Sequence, residues 1–386
     1  MRFSKPEFWL LGQNVWSVPF RRAKKDAEAR VEKFKNRPVL FVSSNGSGLG
    51  HLTRLWSIER SLDVDAITYT LSSAHHVLGK DSGRIIYFPS YSTLGMFGRF
   101  WNFLMAGHFH AIVRGMSPRR IVFDGTTVYP GIIAVAQKEN VPITWVQRGC
   151  WKRDADLRSW QRHNAHEFAD QVVIPGDYGC SECVTVGRDL EPEYVAPIVL
   201  TRDTDLLSRA EARKALGLEP SKKLFLIQLG GSSIGSLNKL LRVCIDSVRE
   251  LGDEWSAVVV KNPLANDFPE ADFETISAYP LARFYNAFDA AVMPAGYNSS
   301  QECVHFGLPT VLLPNPDTVT DDQEKRARGL EAAGLALVAQ SQASLRQAIR
   351  VLAKDHVRTE LRQRTSILRR DSGADEAARA IAKRLI

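Results

Sequence analysis

The sequence predicts two doubly wound α/β domains that face each other across a cleft. Three observations lead there. From Pro38 onward, short apolar runs alternate with segments of helical period, the pattern of parallel β-α units. The pattern occurs twice, on either side of a proline-bearing stretch at 191–201. The chain has 386 residues, more than one average domain holds and enough for two, each with its own core.

In the first set, the run 39–42 enters a glycine-rich loop and a helix from His51. Further strands are expected at 66–71, 85–88, 121–123, 143–146 and 171–174, and the stretch 191–201 reads as a linker. The second set starts at 224–229, followed by a Gly-Gly-Ser loop and a helix from Ser236. That helix spaces Leu237, Leu240, Leu241, Cys244, Ile245, Val248 and Leu251 by three and four, a stripe that faces a core. Strands follow at 257–260, 290–293, 310–313 and 336–338. Helices at 344–352 and 375–385 are expected on the second sheet, the last reaching back to the first domain. The organisation is an arm at 1–37, a first domain at 38–195, a second at 196–370 and a terminal helix at 371–386.

Composition narrows the class. With 44% hydrophobic and 24% charged residues, disorder and fibrous repeats are excluded. No stretch is long and apolar enough to span a bilayer as a helix, and the run 8–11 is too short for a secretory signal. Five cysteines, an odd number, argue against a disulfide framework and for a reducing cytoplasm. Of the net charge of +7, residues 1–38 supply a surplus of six, from ten bases and four acids. The nearly neutral body speaks against a nucleic-acid partner. In the arm, Phe3, Phe8, Trp9, Leu10, Leu11, Val15, Trp16 and Phe20 accompany the basic run 21–25. It reads either as an interfacial segment on an anionic membrane face, each base adding on the order of 1 kcal/mol, or as an arm packed on the body.

Two motifs carry chemistry. The loop 43–54, with Gly46, Gly48 and Gly50 before His51, lets backbone approach a ligand at a helix N-terminus. It departs from a dinucleotide fingerprint: histidine stands where the third glycine belongs, and neither Asp63 nor Asp65 clearly ends a second strand. His51 is either a general base or a cap or phosphate contact. In the second motif, a strand ends at Pro294, turns at Gly296 and starts a helix with Asn298, Ser299 and Ser300, where the serines can cap and a phosphate can sit. Glu302, one turn in, is placed for vicinal ribose hydroxyls or is an ordinary first-turn acid. Asp124 and Arg148 end two strands of the first set. Asp124 could orient His51, bind an acceptor hydroxyl or cap a helix. Cys180 and Cys183 lack the further ligands that zinc needs.

Gly296-x-x-Ser299-x-x-Glu302, then Gly307-x-Pro309, a strand to Pro314, and Asp322-Gln323-x-x-x-Ala327 resembles the donor half of GT-B glycosyltransferases. The resemblance is to the lipid-II-forming N-acetylglucosaminyltransferase family and, more loosely, to the UDP-glycosyltransferases, over residues 38 to about 340. Gly50-His51-x-x-Arg54 is similar to that group's N-terminal loop. The resemblance implies two Rossmann-like domains, and Glu302 on the donor ribose. Gly230, Gly231, Ser232, Gly296, Asn298 and Ser299 would form the diphosphate cradle, with Asp322 and Gln323 on the sugar. His51, with Asp124, would act across the cleft, and Gly48, Gly50 and Arg148 would line the acceptor side. It implies inversion in one displacement without metal or cofactor, the nucleotide sugar being a co-substrate. Arg326 departs from the family, which often has asparagine there.

The expected function is transfer of a hexose or N-acetylhexosamine from a nucleotide diphosphate, UDP foremost, to a hydroxyl. A membrane-binding arm makes the acceptor lipid-linked and the location the inner membrane face; a packed arm favours a soluble acceptor. The rivals are a nucleotide-sugar 2-epimerase and a non-catalytic nucleotide-sugar binder or membrane scaffold.

Overall fold

Val39–Ser43 (β1) is buried along its whole length and pairs in parallel with a strand on each side. A strand buried on both faces reads as an unbroken apolar run, which is why it stands out in the sequence. The computed structural model describes residues 37–44, 50–78, 84–180, 190–229, 234–261, 273–368 and 372–385. The predicted arm, apart from Arg37, lies outside the described residues. The first sheet also contains Ala66–Thr70 (β2), Arg84–Tyr87 (β3), Arg120–Asp124 (β4), Ile143–Val146 (β5), Gln171–Pro175 (β6) and Glu193–Val195 (β7), in the order β3-β2-β1-β4-β5-β6-β7. The second contains Lys223–Ile227 (β8), Trp255–Val260 (β9), Glu274–Ile276 (β10), Ala290–Pro294 (β11), Thr310–Leu313 (β12) and Leu337–Val338 (β13), in the order β10-β9-β8-β11-β12-β13. Both sheets are parallel throughout.

Helices cover both faces. The first domain uses Gly50–Glu59 (α1), Gly98–Met116 (α2), Pro130–Lys138 (α3), Arg153–Leu157 (α4) and Trp160–His163 (α5). The second uses Arg209–Leu216 (α6), Ile234–Arg249 (α7), Tyr297–His305 (α8), Gln323–Ala332 (α9), Gln342–Leu352 (α10) and Asp355–Ser366 (α11). The last helix, Gly373–Ala382 (α12), returns to the first domain. Its Ala374, Ala377, Ala378 and Ile381 pack on Val39, Phe41, Val122, Val146 and Val173, so the chain ends of the fold are tied together. Small side chains allow that close approach, and a Cβ on Gly373 would collide with the Ala196 carbonyl.

Two strands were not foreseen. β7 falls inside the predicted linker and adds the seventh strand, and β10 forms the edge of the second sheet. Each has three residues and pairs on one side only, so neither needs the apolar run that marks a central strand. Chain direction reverses its winding between β1 and β4 and again between β8 and β11. Such switch points open crevices at the strand carboxyl ends, and the candidate site lies there.

Candidate active site

β1 and β4 end side by side, with Ser43 opposite Asp124. The Ser44 N–H donates to the Asp124 carbonyl at 2.9 Å. A Cβ on Gly125 would lie 2.6 Å from the Ser44 Cβ, so glycine alone lets the two strand ends approach this closely. α1 places His51 and Arg54 on one face, one turn apart. Asp124, buried beneath them, receives both: His51 Nδ1 donates to Oδ1 at 2.6 Å. Arg54 donates through Nε to Oδ2 at 2.7 Å and through Nη2 to Oδ1 at 2.6 Å, a bidentate pair.

The electrostatics follow from this geometry. Burial would raise the Asp124 carboxyl, but Arg54 and His51 outweigh it and hold the group below its ordinary value. For His51, burial lowers the proton affinity by more than Asp124 raises it, and the Arg54 and Arg148 charges lower it further. The imidazole is therefore neutral at pH 7. Its proton sits on Nδ1, facing the carboxylate, and Nε2 carries the lone pair. Nε2 hydrogen-bonds to none of the described residues, and the side chain keeps 17% of its surface exposed. Asp124 orients His51 and caps no helix: α3 starts behind Tyr129, without a side-chain cap.

Across the cleft, α8 begins after β11 with Gly296 in the cap position and no side-chain cap. Its first turn thus presents backbone N–H groups and the positive end of the helix dipole. The expectation that Ser300 caps this helix is corrected. Ser300 is buried, and its Oγ donates to the Gly296 and Tyr297 carbonyls at 2.8 and 3.1 Å, because the fourth helical position turns inward. Ser299 is half-buried beside it. Asn298 reaches back toward the first domain: Nδ2 donates to the Gly50 carbonyl, and Oδ1 accepts from Arg54 Nη1, both at 3.4 Å. Glu302 is half-buried next to Leu200. Burial pushes its carboxyl up to about 7, against a backbone hydrogen bond from Leu200.

A second ionic cluster joins the domains. Arg326, with no exposed surface, donates from Nε to Asp177 Oδ2 at 2.6 Å, from Nη2 to Asp321 Oδ1 at 2.8 Å and from Nη1 to the Ala295 carbonyl at 3.1 Å. Arg148 Nη1 lies 3.1 Å from Asp321 Oδ1. Backbone seals the same seam. Trp151 bridges Asp321, the Lys152 N–H donates to the Thr320 carbonyl at 2.8 Å, and the Asp322 N–H donates to the Cys150 carbonyl at 3.1 Å. Arg326, where the family often has asparagine, thus makes structural contacts. Arg148, expected on the acceptor side, is engaged by Asp321 of the second domain. The Asp322 carboxylate caps α9 by accepting from the Lys325 N–H at 3.0 Å. Gln323 Oε1 accepts from the Asn315 N–H at 3.0 Å, with its Nε2 end toward Gly296. Among the described residues, no group of three His, Cys, Asp or Glu side chains could hold a metal ion.

Residues 260–385 match the family model of the glycosyltransferase family 28 C-terminal domain. Over 294 residues the chain is 30% identical to UDP-N-acetylglucosamine–N-acetylmuramyl-(pentapeptide) pyrophosphoryl-undecaprenol N-acetylglucosamine transferase of Symbiobacterium thermophilum, spanning 71% of this chain and 72% of that one. The chain belongs to glycosyltransferase family 28.

The family 28 relative of the same name from Aquifex aeolicus is 31% identical over 137 residues, and that match spans 34% of this chain and 39% of the relative. The fold is GT-B. Acinetobacter baumannii MurG superposes with a TM-score of 0.59 at 15% identity, covering 90% of this chain and 99% of that one. Os79 of O. sativa superposes with a TM-score of 0.64 at 14% identity, covering 90% and 100%. In this family 28 chain, His51, Asp124, Gly50, Asn298 and Gly296 come together at the cleft. Gly48, Gly230, Gly231 and Ser232 lie outside the described residues, as does Cys183. Sequence reading assigned no role to Arg54, Asp177 or Asp321. The three-residue spacing of His51 and Arg54 is a signal that puts both on one helix face. Asp177 carries none, since its partner lies 149 positions away.

Proposed function

We propose that the chain transfers an N-acetylhexosaminyl or hexosyl group from a UDP-sugar to a hydroxyl of a lipid-linked acceptor, with inversion, at the cytoplasmic face of a membrane. The observation that carries this reading is a neutral, Asp124-oriented imidazole whose Nε2 bonds to none of the described residues, facing an uncapped helix N-terminus across the cleft of a family 28 chain. His51 Nε2 accepts the acceptor hydroxyl proton as the oxygen bonds to the anomeric carbon. The bond from that carbon to the diphosphate breaks, and UDP departs with the electron pair. Its developing charge is held by α8's first N–H groups, the kind of preorganised dipole that contributes most to such transfers. Glu302 accepts from the ribose hydroxyls.

The relatives' names support UDP-N-acetylglucosamine as donor and an undecaprenol-linked acceptor. The surface supports a lipid-linked acceptor. Phe97 just before α2, and Phe100 and Phe103 on it, are exposed by 79%, 56% and 72%, with Leu94 and Leu104 beside them. Contiguous exposed aromatics of this kind mark interaction sites. Among the described residues no helix is long and apolar enough to cross a membrane.

The test is UDP release from UDP-N-acetylglucosamine in the presence of a short-chain polyprenyl-diphosphate glycan, against GDP- and dTDP-sugars and a lipid-free acceptor. Release that requires UDP and the lipid, with a β-linked product, supports the reading. Equal rates with the lipid-free acceptor overturn the acceptor assignment, and binding without release overturns the enzyme.

A further inference from the structure

Arg54 is more than a partner for Asp124. Its side chain is buried, and two of its three nitrogens are taken up by the carboxylate. The third, Nη1, points to the other domain and donates to Asn298 Oδ1. The same Asn298 amide donates through Nδ2 to the carbonyl of Gly50, the residue before His51. The amide orientation follows from the chemistry, since a guanidinium only donates and a carbonyl only accepts. The Tyr297 ring lies 5.2 Å from the Arg54 guanidinium carbon. The first two residues of α8 therefore rest on the segment that carries His51.

We propose that Arg54 is a positioning residue that couples the His51–Asp124 pair to the donor-side helix α8 through Asn298, so that the base is set by the position of that helix. The proposal rests on the reading of His51 as the base and α8 as the diphosphate site. Among the described residues three charged groups face His51: Asp124 from β4, Arg54 on its own helix and Arg148 after β5. From α8 the facing groups, Asn298 and Tyr297, are neutral. Asp124 carries a single negative charge, which Arg54 already occupies through two hydrogen bonds. The imidazolium that forms on proton uptake must share it. Where Arg54 sits thus decides how much of that charge His51 feels. Asn298 holds the guanidinium from the far side, so movement of α8 on nucleotide binding is transmitted through one amide. At 3.4 Å, both Asn298 bonds are long and have room to tighten.

The test is an NMR titration of the full chain labelled at histidine Cε1, with the His51 signal assigned by H51Q. R54Q removes one positive charge facing His51 and leaves Asp124 unbalanced, so the His51 midpoint rises by about one unit, tenfold in proton affinity. N298A leaves the charges in place and the free midpoint near that of the wild type. At UDP concentrations that calorimetry shows to saturate each protein, UDP moves the His51 signal in the wild type and no longer does so in N298A. R54K keeps a charge but has no third nitrogen for Asn298. Its free midpoint stays near the wild type and its UDP response is lost, and this variant carries the test should R54Q fail to fold. The same midpoint in the wild type and R54Q, or an intact UDP response in N298A or R54K, overturns the proposal. None of these readouts needs sugar transfer. If calorimetry shows no UDP binding to the wild type, it is the donor-site reading that falls, and the R54Q and R54K midpoints still decide the role of Arg54.

Discussion

Two buried ionic clusters of this protein, one around Asp124 and one around Arg326, use the same pieces to opposite ends. Around Asp124, a carboxylate receives a bidentate arginine and a histidine. Around Arg326, two carboxylates receive two arginines, and a carbonyl takes the remaining guanidinium nitrogen. Every charged member of the second cluster is paired. Burial would raise the Asp321 carboxyl, but Arg148 and Arg326 bring it down to about 2. The first cluster contains one group, His51, whose proton affinity burial lowers, with one nitrogen bonded to no described residue. Complete pairing makes a joint between domains. Leaving one titratable nitrogen open makes a place where a proton can go.

The sharpest way to break this comparison is H51Q. Loss of a general base lowers turnover by roughly a hundred- to ten-thousandfold, while the unfolding free energy changes by less than about 1 kcal/mol. The pH dependence has a definite sign. The folded-state proton affinity of His51 lies below the usual value, so the wild type loses stability as pH falls through 6.5, and H51Q does not. Turnover and denaturation measured at pH 8 and pH 5 check both statements.

R326M probes the joint. It leaves Asp177 buried and without its arginine and Asp321 with Arg148 alone, a loss of about 3–5 kcal/mol, read by urea denaturation. Here the pH effect runs differently. The depressed Asp321 carboxyl stabilises the wild type fully above its unfolded value and loses that contribution as pH falls toward about 2. The gap between wild type and R326M therefore narrows below pH 4. A gap that held constant to pH 2 would mean the cluster contributes through packing alone.

The smallest effect is expected for E302Q, which tests a carboxylate that no cation among the described residues balances. Because burial raises Glu302 to about 7, the wild type loses stability as pH rises from 4.5 through 7. E302Q should be more stable at pH 8, by on the order of 1 kcal/mol after allowing for partial exposure, and equal at pH 4.5. Its UDP affinity should fall about tenfold, since an amide oxygen accepts more weakly than a carboxylate. Thermal unfolding and calorimetry at the two pH values separate these effects.

The legibility of the fold varied with how completely a segment is buried. β5 and β12 begin and end at the residues that the apolar runs indicate, because a central parallel strand must be apolar on both faces. β7 and β10 pair on one side and carry Glu193 and Glu274, so no run announces them. Of the candidate donor motif, Gly296, Ser299 and Glu302 stand out in the sequence because they recur at every third position from one helix start. The bond between His51 and Asp124 was open among three roles, and the load on Arg54 was invisible.

By itself, then, the sequence determined the two-domain parallel fold, the apolar faces of its helices and the motif order that marks the donor half. These are local properties: each strand or helix records in its own residues which face is buried. Only the tertiary structure decided that Asp124 serves His51 and Arg54 rather than a helix cap, that Ser300 turns inward, and that Arg326 and Arg148 close the interdomain seam. Those pairings depend on which strand ends become neighbours. β4 lies beside β1 after more than seventy intervening residues, and no spacing along the chain encodes that adjacency.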